Sequence, residues 1–204
     1  HMEENMIITI SRQYGSGGSQ VAKILAERMG VWCYDRDILT IAAERIGNEE
    51  LTEDTINDLN YKRNDVASAG ITGVMGMGNI PIYNQMFLEQ AKIIRKLANY
   101  GSAVFLGRCA DYILKDIKNC TSVYLYADRE FRKNRVKEIY GSNAEIMDKE
   151  EKNRADYYNY YTGNRWGDIN NYDFAINTSK VSFEEAADLI YRFAKDKQKN
   201  LKDR

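Results

Sequence analysis

The sequence feature that most constrains the fold is a glycine-rich turn between a predicted strand and a predicted helix. The apolar run MIITI predicts the strand at 6–10, and SQVAKILAERMG predicts the helix at 19–30. Between them, Gly15, Gly17 and Gly18 permit positive φ and let the main chain approach an anion closely. A strand, such a turn and a helix, in that order, predict a phosphate site at the helix N-terminus.

The turn matches the phosphate-loop pattern G-x-x-x-x-G-K-[ST] only in part. Gly17 falls on the second glycine, and Ser19 on the hydroxyl residue that faces Mg²⁺. Arg12 replaces the first glycine, and Gly18 replaces the lysine, so the loop keeps its backbone amides and loses the ammonium. Arg12 could supply a guanidinium instead, a planar group that holds phosphate with two donors. A plain structural turn is the alternative interpretation.

The same glycines also resemble the dinucleotide fingerprint G-x-G-x-x-G, with Asp35 after the second predicted strand as the acidic residue. The third glycine of that fingerprint would fall at position 20, which is Gln20. The fingerprint also leaves the arginines near the C-terminus without a role. We therefore rank a dinucleotide-dependent oxidoreductase well below a phosphate-binding protein.

Further short apolar runs alternate with helical segments, which is the pattern of a parallel sheet covered by helices. Strands are predicted at 31–34, 103–107, 122–127 and 173–177. Helices are predicted at 36–47, 84–101, 128–141 and 182–198. A chain of 204 residues with 44% apolar content can bury one such core. We therefore expect a single α/β domain.

Charge and rare residues exclude several kinds of chemistry. A net charge of −1 argues against a nucleic-acid partner. The single histidine, His1, excludes a Ser-His-Asp triad and histidine metal sites. Three cysteines without C-x-x-C spacing are typical of reduced thiols, and no apolar run reaches membrane-spanning length. We expect a soluble, cytoplasmic protein with neither a membrane nor a nucleic-acid partner.

Two segments depart from the simple alternation of strands and helices. Residues 48–100 are longer than an ordinary crossover, and within them the Gly/Met-rich stretch 70–81 predicts either a flexible connector or a mobile flap over a substrate. Residues 150–173 are rich in tyrosine and are not typical of an amphipathic helix. Tyrosine and tryptophan suit a surface that closes on a partner, so this segment predicts a lid or a homodimer surface.

The runs that follow carry a family resemblance over nearly the whole chain: ISRQYGSGGSQVAKILAERMG, YDRDIL, VFLGRCADYIL, VYLYADREFRKNR and YYTGNRWGDINNYDFAINTS. Together they resemble the nucleoside monophosphate kinases, most closely the cytidylate kinase-like family. The resemblance implies a P-loop NTPase-type three-layer α/β sandwich with a five-stranded parallel sheet, a helical insertion after strand two and an arginine-bearing lid. It also implies ATP with Mg²⁺ as the donor and a small-molecule acceptor, first of all a nucleoside monophosphate.

The resemblance also divides one kinase-like domain, residues 1–204, into parts. These are a core at 3–47 and 101–141, an acceptor-binding insertion at 48–100, a lid at 142–172, and the last strand with the C-terminal helix at 173–204. The family's cytidylate enzymes tend to carry Asp where this chain has Cys109. Because the loop lysine is also replaced and the lid is unusually aromatic, we do not assume a cytidine acceptor. A nucleotide-binding sensor without turnover stays an alternative.

Residue roles follow from the resemblance, position by position. The donor phosphates are assigned to Gly15, Ser16, Gly17, Gly18 and Ser19, with Ser19 toward Mg²⁺, and to the lid-entry arginines Arg129 and Arg132. The acceptor is assigned to Asp35, Arg36, Arg108 and Asp111. Neutralisation of the transferred group is assigned to Arg108, Arg154 and Arg165, and also to Arg12, whose role follows from the replaced loop lysine and not from the resemblance. These are alignment and charge-neutralising roles, which is what phosphoryl transfer mainly requires of a protein.

Overall fold

A computed structural model of the chain describes residues 5–45, 54 and 80–203. Its strands are β1 Ile7–Arg12, β2 Trp32–Tyr34, β3 Ala103–Leu106, β4 Cys120–Tyr126 and β5 Phe174–Asn177. Its helices are α1 Gly18–Met29, α2 Arg36–Arg45, α3 Ile80–Tyr100, α4 Ala110–Ile113, α5 Arg129–Tyr140, α6 Ala144–Thr162 and α7 Phe183–Lys202. A 3₁₀ turn at Ile169–Asn171 precedes β5.

The five strands form one parallel sheet in the order β2-β3-β1-β4-β5. β1 lies at its centre, where Ile7 is opposite Ala103 of β3 and Cys120 of β4. Because all strands are parallel, the segments that follow β1, β3 and β4 meet at the same edge of the sheet. Dinucleotide-binding sheets place β2 next to β1. Here β3 separates them, so the strand order argues against the oxidoreductase alternative.

The core lies on both faces of the sheet. Ile8 and Ile10 of β1 are buried against α1 and α7 on one face, while Ile7 is buried with residues of α2 and α3 on the other. Strand residues that alternate between two buried faces need a helical layer on each side. The predicted three-layer α/β fold with a five-stranded parallel sheet is therefore confirmed.

The lid segment differs from the prediction, because its tyrosine-rich part continues a long helix. α6 begins after Asn143, whose side chain accepts a hydrogen bond from the Ile146 amide at 3.0 Å, and it ends before Gly163, which has φ 72°. The inward face of α6 carries Glu151 and Arg154, which bond to the phosphate loop. Polar residues on the inward face hide the apolar periodicity by which a helix is recognised in a sequence.

The segment between β2 and β3 is described only at its ends. α3 begins at Ile80, four residues before the predicted start at 84. The Gly/Met-rich stretch lies outside the described residues apart from positions 80 and 81, so the choice between connector and flap stays a prediction. Within the part of the chain that the structure describes, none of the helices combines the length and apolar content needed to cross a membrane.

Candidate active site

The phosphate loop, residues 12–19, is anchored to the neighbouring strand ends. The Gln13 amide donates to the Leu125 carbonyl at 2.8 Å, and Gln13 Oε1 accepts a hydrogen bond from the Ala127 amide at 3.1 Å. Thr178 Oγ1, just after β5, donates to the Ser16 carbonyl at 2.6 Å. The loop is therefore held in place by β4 and by the segment after β5.

The loop leaves several backbone donors for an anion. Gly15 and Gly17 have φ values of 83° and 82°, a region that favours glycine. The Gly18 amide donates to Ser16 Oγ at 3.3 Å. The amides of Gly15, Gly17 and Ser19 donate to no residue that the structure describes. Free amides beside the N-terminus of α1 fit a bound phosphate.

Two of the loop glycines are in close contact with other helices. A Cβ on Gly17 would overlap the ring of Phe183, the first residue of α7. A Cβ on Gly15 would lie 3.1 Å from both the Cβ and the carbonyl oxygen of Arg132 in α5. Arg132 is itself buried and donates through Nε to the Ala127 carbonyl at 3.1 Å. Larger residues at 15 or 17 would therefore push these helices away.

Arg12 crosses the loop at the position of the missing lysine. A Cβ on Gly18 would lie 2.5 Å from both Cβ and Cγ of Arg12, so the arginine stem fills the space beside Gly18. A Cβ on Gly107 would lie 2.5 Å from Arg12 Nη1. The Arg12 side chain thus runs from the end of β1, past the first turn of α1, to the glycine that follows β3.

Three arginines converge at this edge of the sheet. Burial lowers the pKa of Arg12 well below its usual value, and the positive charges of Arg154 and Arg108 lower that pKa further. Burial also lowers the pKa of Arg154, against an opposing effect of the Glu151 carboxylate. Guanidinium groups remain charged at neutral pH, so a cluster of them that is partly buried from solvent attracts an anion.

Helix α6 (the lid helix, since it begins the predicted lid at 142–172) docks on the loop through polar contacts. Arg154 Nη1 donates to the Arg12 carbonyl at 2.8 Å, and its guanidinium lies 5.7 Å from the centre of the Tyr14 ring. Glu151 Oε2 accepts a hydrogen bond from the Tyr14 amide at 2.9 Å. Glu151 Oε1 accepts one from Trp166 Nε1 at 2.8 Å. A carboxylate from the lid therefore bonds to an amide of the phosphate loop.

Arg108 is held by two elements at the end of β3. Its Nε and Nη2 donate to Gln90 Oε1 of α3 at 3.1 and 3.0 Å, and its guanidinium lies 4.4 Å from the centre of the Tyr157 ring of α6. Arg108 and Cys109 have φ values of 57° and 59°, which residues with a Cβ rarely adopt. Such strained backbone is concentrated at functional sites.

Two residues next to Arg108 are buried and change the local charge. Asp111 accepts a hydrogen bond from the Tyr158 hydroxyl at 2.8 Å, and burial raises the pKa of its carboxyl in spite of that bond. Burial raises the pKa of the Cys109 thiol to about 12. The thiol is therefore neutral at physiological pH, where the resemblance would place a carboxylate.

Comparison with known proteins identifies the family. Residues 7–180 match the model of the cytidylate kinase-like family. This chain belongs to that family. Membership of a kinase-like family, together with this fold, supports nucleotide-dependent phosphoryl transfer as the reaction class.

Solved structures similar to this family member agree with the fold. A crystal structure of an uncharacterized protein from Eubacterium ventriosum ATCC 27560 is 29% identical, with a TM-score of 0.72, and covers 93% of this chain and 98% of that one. A gluconokinase from Sinorhizobium meliloti 1021 is 15% identical, with a TM-score of 0.53, over 94% and 95% of the two chains. A shikimate kinase from Acinetobacter baumannii, in complex with shikimate, is 15% identical, with a TM-score of 0.50, over 94% of each. No curated protein sequence matches this chain.

The fold of this cytidylate kinase-like protein brings most of the predicted loop and arginine residues together. The group comprises Gly15, Ser16, Gly17, Gly18 and Ser19 of the loop, with Arg12, Arg108, Arg132 and Arg154 around it. Asp111 lies three residues after Arg108 and is bonded to the lid. Their individual roles stay predictions, now with a common location.

Other predicted site residues are placed differently. Arg129 is exposed and forms two hydrogen bonds with Asp148 of α6, at 2.7 and 2.8 Å. Arg165 is exposed, on the segment between α6 and β5. Asp35 Oδ1 accepts a hydrogen bond from the Ile38 amide at 3.1 Å, as the residue that caps the N-terminus of α2 would. Arg36, the first residue of α2, is exposed.

Three contact residues of the site were not predicted from the sequence. Glu151 has the charge opposite to that expected in a phosphate-binding lid, although its spacing from Arg154 would have placed both on one helix face. Gln90 is a polar residue buried within the mainly apolar face of α3. Tyr157 is hidden among neighbouring tyrosines, and nothing in the sequence singles it out.

Proposed function

We propose that this protein transfers a phosphoryl group from ATP to a nucleoside monophosphate. The observation that carries the proposal is the convergence of Arg12, Arg108 and Arg154 beside the free amides of the phosphate loop. Phosphoryl transfer requires alignment and neutralisation of charge more than covalent help from the protein. Amides on one side and three guanidinium groups on the other would meet both needs.

On the donor side, the amides of Gly15, Gly17 and Ser19 would hold the ATP phosphates. The Ser19 hydroxyl, in the first turn of α1, matches the position that faces Mg²⁺ in the phosphate-loop pattern. Mg²⁺ would enter with ATP and neutralise charge on the β- and γ-phosphates. Arg132 would stiffen the loop from behind, since its backbone and Cβ contact Gly15.

On the acceptor side, Arg108 would bind the phosphate of the nucleoside monophosphate. Gln90 and Tyr157 fix its guanidinium plane, and Gln90 uses two of its five N–H donors. The remaining donors can form a fork with phosphate oxygens. An acceptor phosphate is already ionised, so this transfer needs no general base, in agreement with a chain whose single histidine is His1.

The lid would complete the site on closure. Arg154 already bonds to the Arg12 carbonyl, so α6 brings a positive charge to the loop and would shield the reacting groups from water. Excluding water limits hydrolysis of ATP in place of transfer.

The proposed partner is a small molecule, with neither nucleic acid nor membrane involved, and the proposed setting is the cytoplasm. The three cysteines, Cys33, Cys109 and Cys120, are buried free thiols, as a reducing compartment favours. A homodimer through the aromatic segment stays a prediction.

An acceptor screen tests the proposal. ADP release is measured with ATP·Mg²⁺ and CMP, UMP, AMP or dCMP, and in parallel with shikimate or gluconate. We expect saturable turnover with at least one nucleoside monophosphate and none with the other two compounds. Turnover with a non-nucleotide acceptor alone would overturn the assigned acceptor class. Tight ATP binding without turnover on any acceptor would favour the nucleotide sensor instead.

A further inference from the structure

We propose that this loop has exchanged the first glycine and the lysine of the phosphate-loop pattern: the cation now stands at position 12 and the glycine at position 18. Arg12 would then bind the phosphates in place of the lysine. This inference rests on the proposed function and names the residue that contacts the transferred group. It also names the two glycines, Gly18 and Gly107, that make room for that residue.

Steric evidence comes from the first turn of α1. Gly18 lies in the helix and its φ is not positive, so its backbone would accept any residue. A Cβ there would meet Arg12 Cβ and Cγ at 2.5 Å, whereas Ser16 Oγ would be at an ordinary 3.4 Å. Arg12 Cβ is fixed by the backbone of β1, so it cannot move aside. Arg12 therefore leaves no room for a side chain at position 18. Positions 12 and 18 together have space for only one long cationic side chain.

The far end of Arg12 indicates what the exchange achieves. Its Nη1 lies 2.5 Å from the position that a Cβ on Gly107 would take, just after β3 and one residue before Arg108. The guanidinium is thus placed between the donor loop and the proposed acceptor arginine. A transferred phosphoryl group must pass between those two sites, so Arg12 is placed to contact it in either position.

The rival explanation is that Arg12 only supports the structure, filling the space between Gly18 and Gly107. Arg12→Met separates the two explanations, because methionine keeps an unbranched stem and removes the charge. If Arg12 contacts phosphate, this variant retains the wild-type melting temperature and loses ATP·Mg²⁺ affinity, on the order of tenfold to a hundredfold by titration calorimetry. Unchanged affinity would overturn the proposal.

A double-mutant cycle tests the exchange itself. We compare Arg12→Gly, Gly18→Lys and the double variant, with Gln20→Lys as a matched control, because Gln20 is exposed in the same helix turn and adds the same charge elsewhere. Gly18→Lys alone should lower the melting temperature and abolish ATP binding. Arg12→Gly should weaken ATP binding by about tenfold or more. The double variant should recover both properties relative to Gly18→Lys.

The outcomes separate the inference from the proposed function. If the wild type does not bind ATP·Mg²⁺, the proposed function fails, while the melting temperatures still report whether positions 12 and 18 share one space. If the wild type binds ATP and the two substitutions act additively on melting temperature and affinity, the exchange is wrong and the kinase proposal stands. If Gln20→Lys restored ATP affinity to the Arg12→Gly variant, the exchange would also be wrong, since a lysine elsewhere in the helix turn would then restore binding as well.

Discussion

The phosphate loop and the lid helix meet at the same arginines, but different forces hold them. The loop is anchored by the hydrogen bonds of Gln13 with the Leu125 carbonyl and the Ala127 amide, and it is closely packed against Phe183. The lid helix docks on the loop through polar side chains, Glu151 and Arg154 among them, and it also buries Met147 and Tyr158. A helix at the surface of a domain can open locally while the core stays folded. From this difference we predict a preformed donor site and a movable cover.

The largest expected effect comes from breaking the loop. Gly17→Ala forces a Cβ onto a φ of 82° and into the Phe183 ring, so we expect a loss of about 2–4 kcal/mol in the free energy of unfolding. ATP binding should be lost as well. Urea denaturation and titration calorimetry measure the two effects.

Gly163→Ala is the matched control in the lid. Gly163 also has a positive φ, 72°, but a Cβ there would meet nothing within 4 Å, so backbone strain of about 1 kcal/mol is the whole expected effect. Equal losses in the two variants would contradict the close packing of the loop, and with it the contrast between the two regions.

A second prediction concerns the carboxylate that joins lid to loop. Glu151→Gln removes the negative charge of a carboxylate that accepts a hydrogen bond from the Tyr14 amide and attracts the Arg154 guanidinium. We expect ATP·Mg²⁺ to bind about threefold to tenfold more tightly, on the order of 1 kcal/mol, because the triphosphate then meets less negative charge. Glu150→Gln is the control, since Glu150 is exposed on the same helix. Weaker binding by Glu151→Gln would show that Glu151 helps to hold the donor.

A third prediction concerns pH and the contact between the lid and Asp111. Burial raises the pKa of the Asp111 carboxyl above its usual 3.8, so the folded protein holds this proton more tightly than the unfolded chain does. Stability from this group is complete below pH 3.8 and is lost as pH rises through the raised pKa. Asp111→Asn, which can still accept the Tyr158 hydroxyl, should therefore gain stability relative to wild type between pH 4 and 7.

Melting temperatures across that pH range check this prediction, with Asp116→Asn, an exposed carboxylate nearby, as the control. A gap between wild type and Asp111→Asn that stays constant with pH would contradict the assigned burial effect.

The smallest effect is expected at the exposed contact between the start of α5 and the first turns of the lid helix. Arg129 and Asp148 form an exposed ion pair, and such pairs contribute little to stability. Arg129→Ala should leave both the melting temperature and ATP affinity at wild-type values. A clear loss of ATP affinity would return Arg129 to the nucleotide site that the family resemblance implied.

Much of the fold could be predicted from the sequence, because buried parallel strands are short apolar runs. The predicted strand at 6–10 lies within one residue of the start of β1, and that at 103–107 overlaps β3. The course of α6 could not be predicted, since its inward side chains are polar and find their partners only in the folded chain. The division of the domain into core, insertion and lid stays a prediction.

The site was only partly predictable for the same reason. The replaced lysine is visible in the sequence, and Arg12 is the one cationic residue of the loop, residues 12–19. That the Arg12 stem excludes a side chain at Gly18 depends on a contact between a strand end and a helix start. The bonds that orient Arg108 join residues 18 positions apart in sequence, and no local pattern reports them.

The central claim is that a guanidinium from β1 and main-chain amides hold the triphosphate that a lysine would otherwise hold. Its most direct test is a crystal structure with a non-hydrolysable ATP analogue and Mg²⁺. We predict an Arg12 nitrogen about 3 Å from a β- or γ-phosphate oxygen, with amides of residues 15–19 around the phosphates. Phosphates bound away from Arg12, or away from the amides of residues 15–19, would contradict the account.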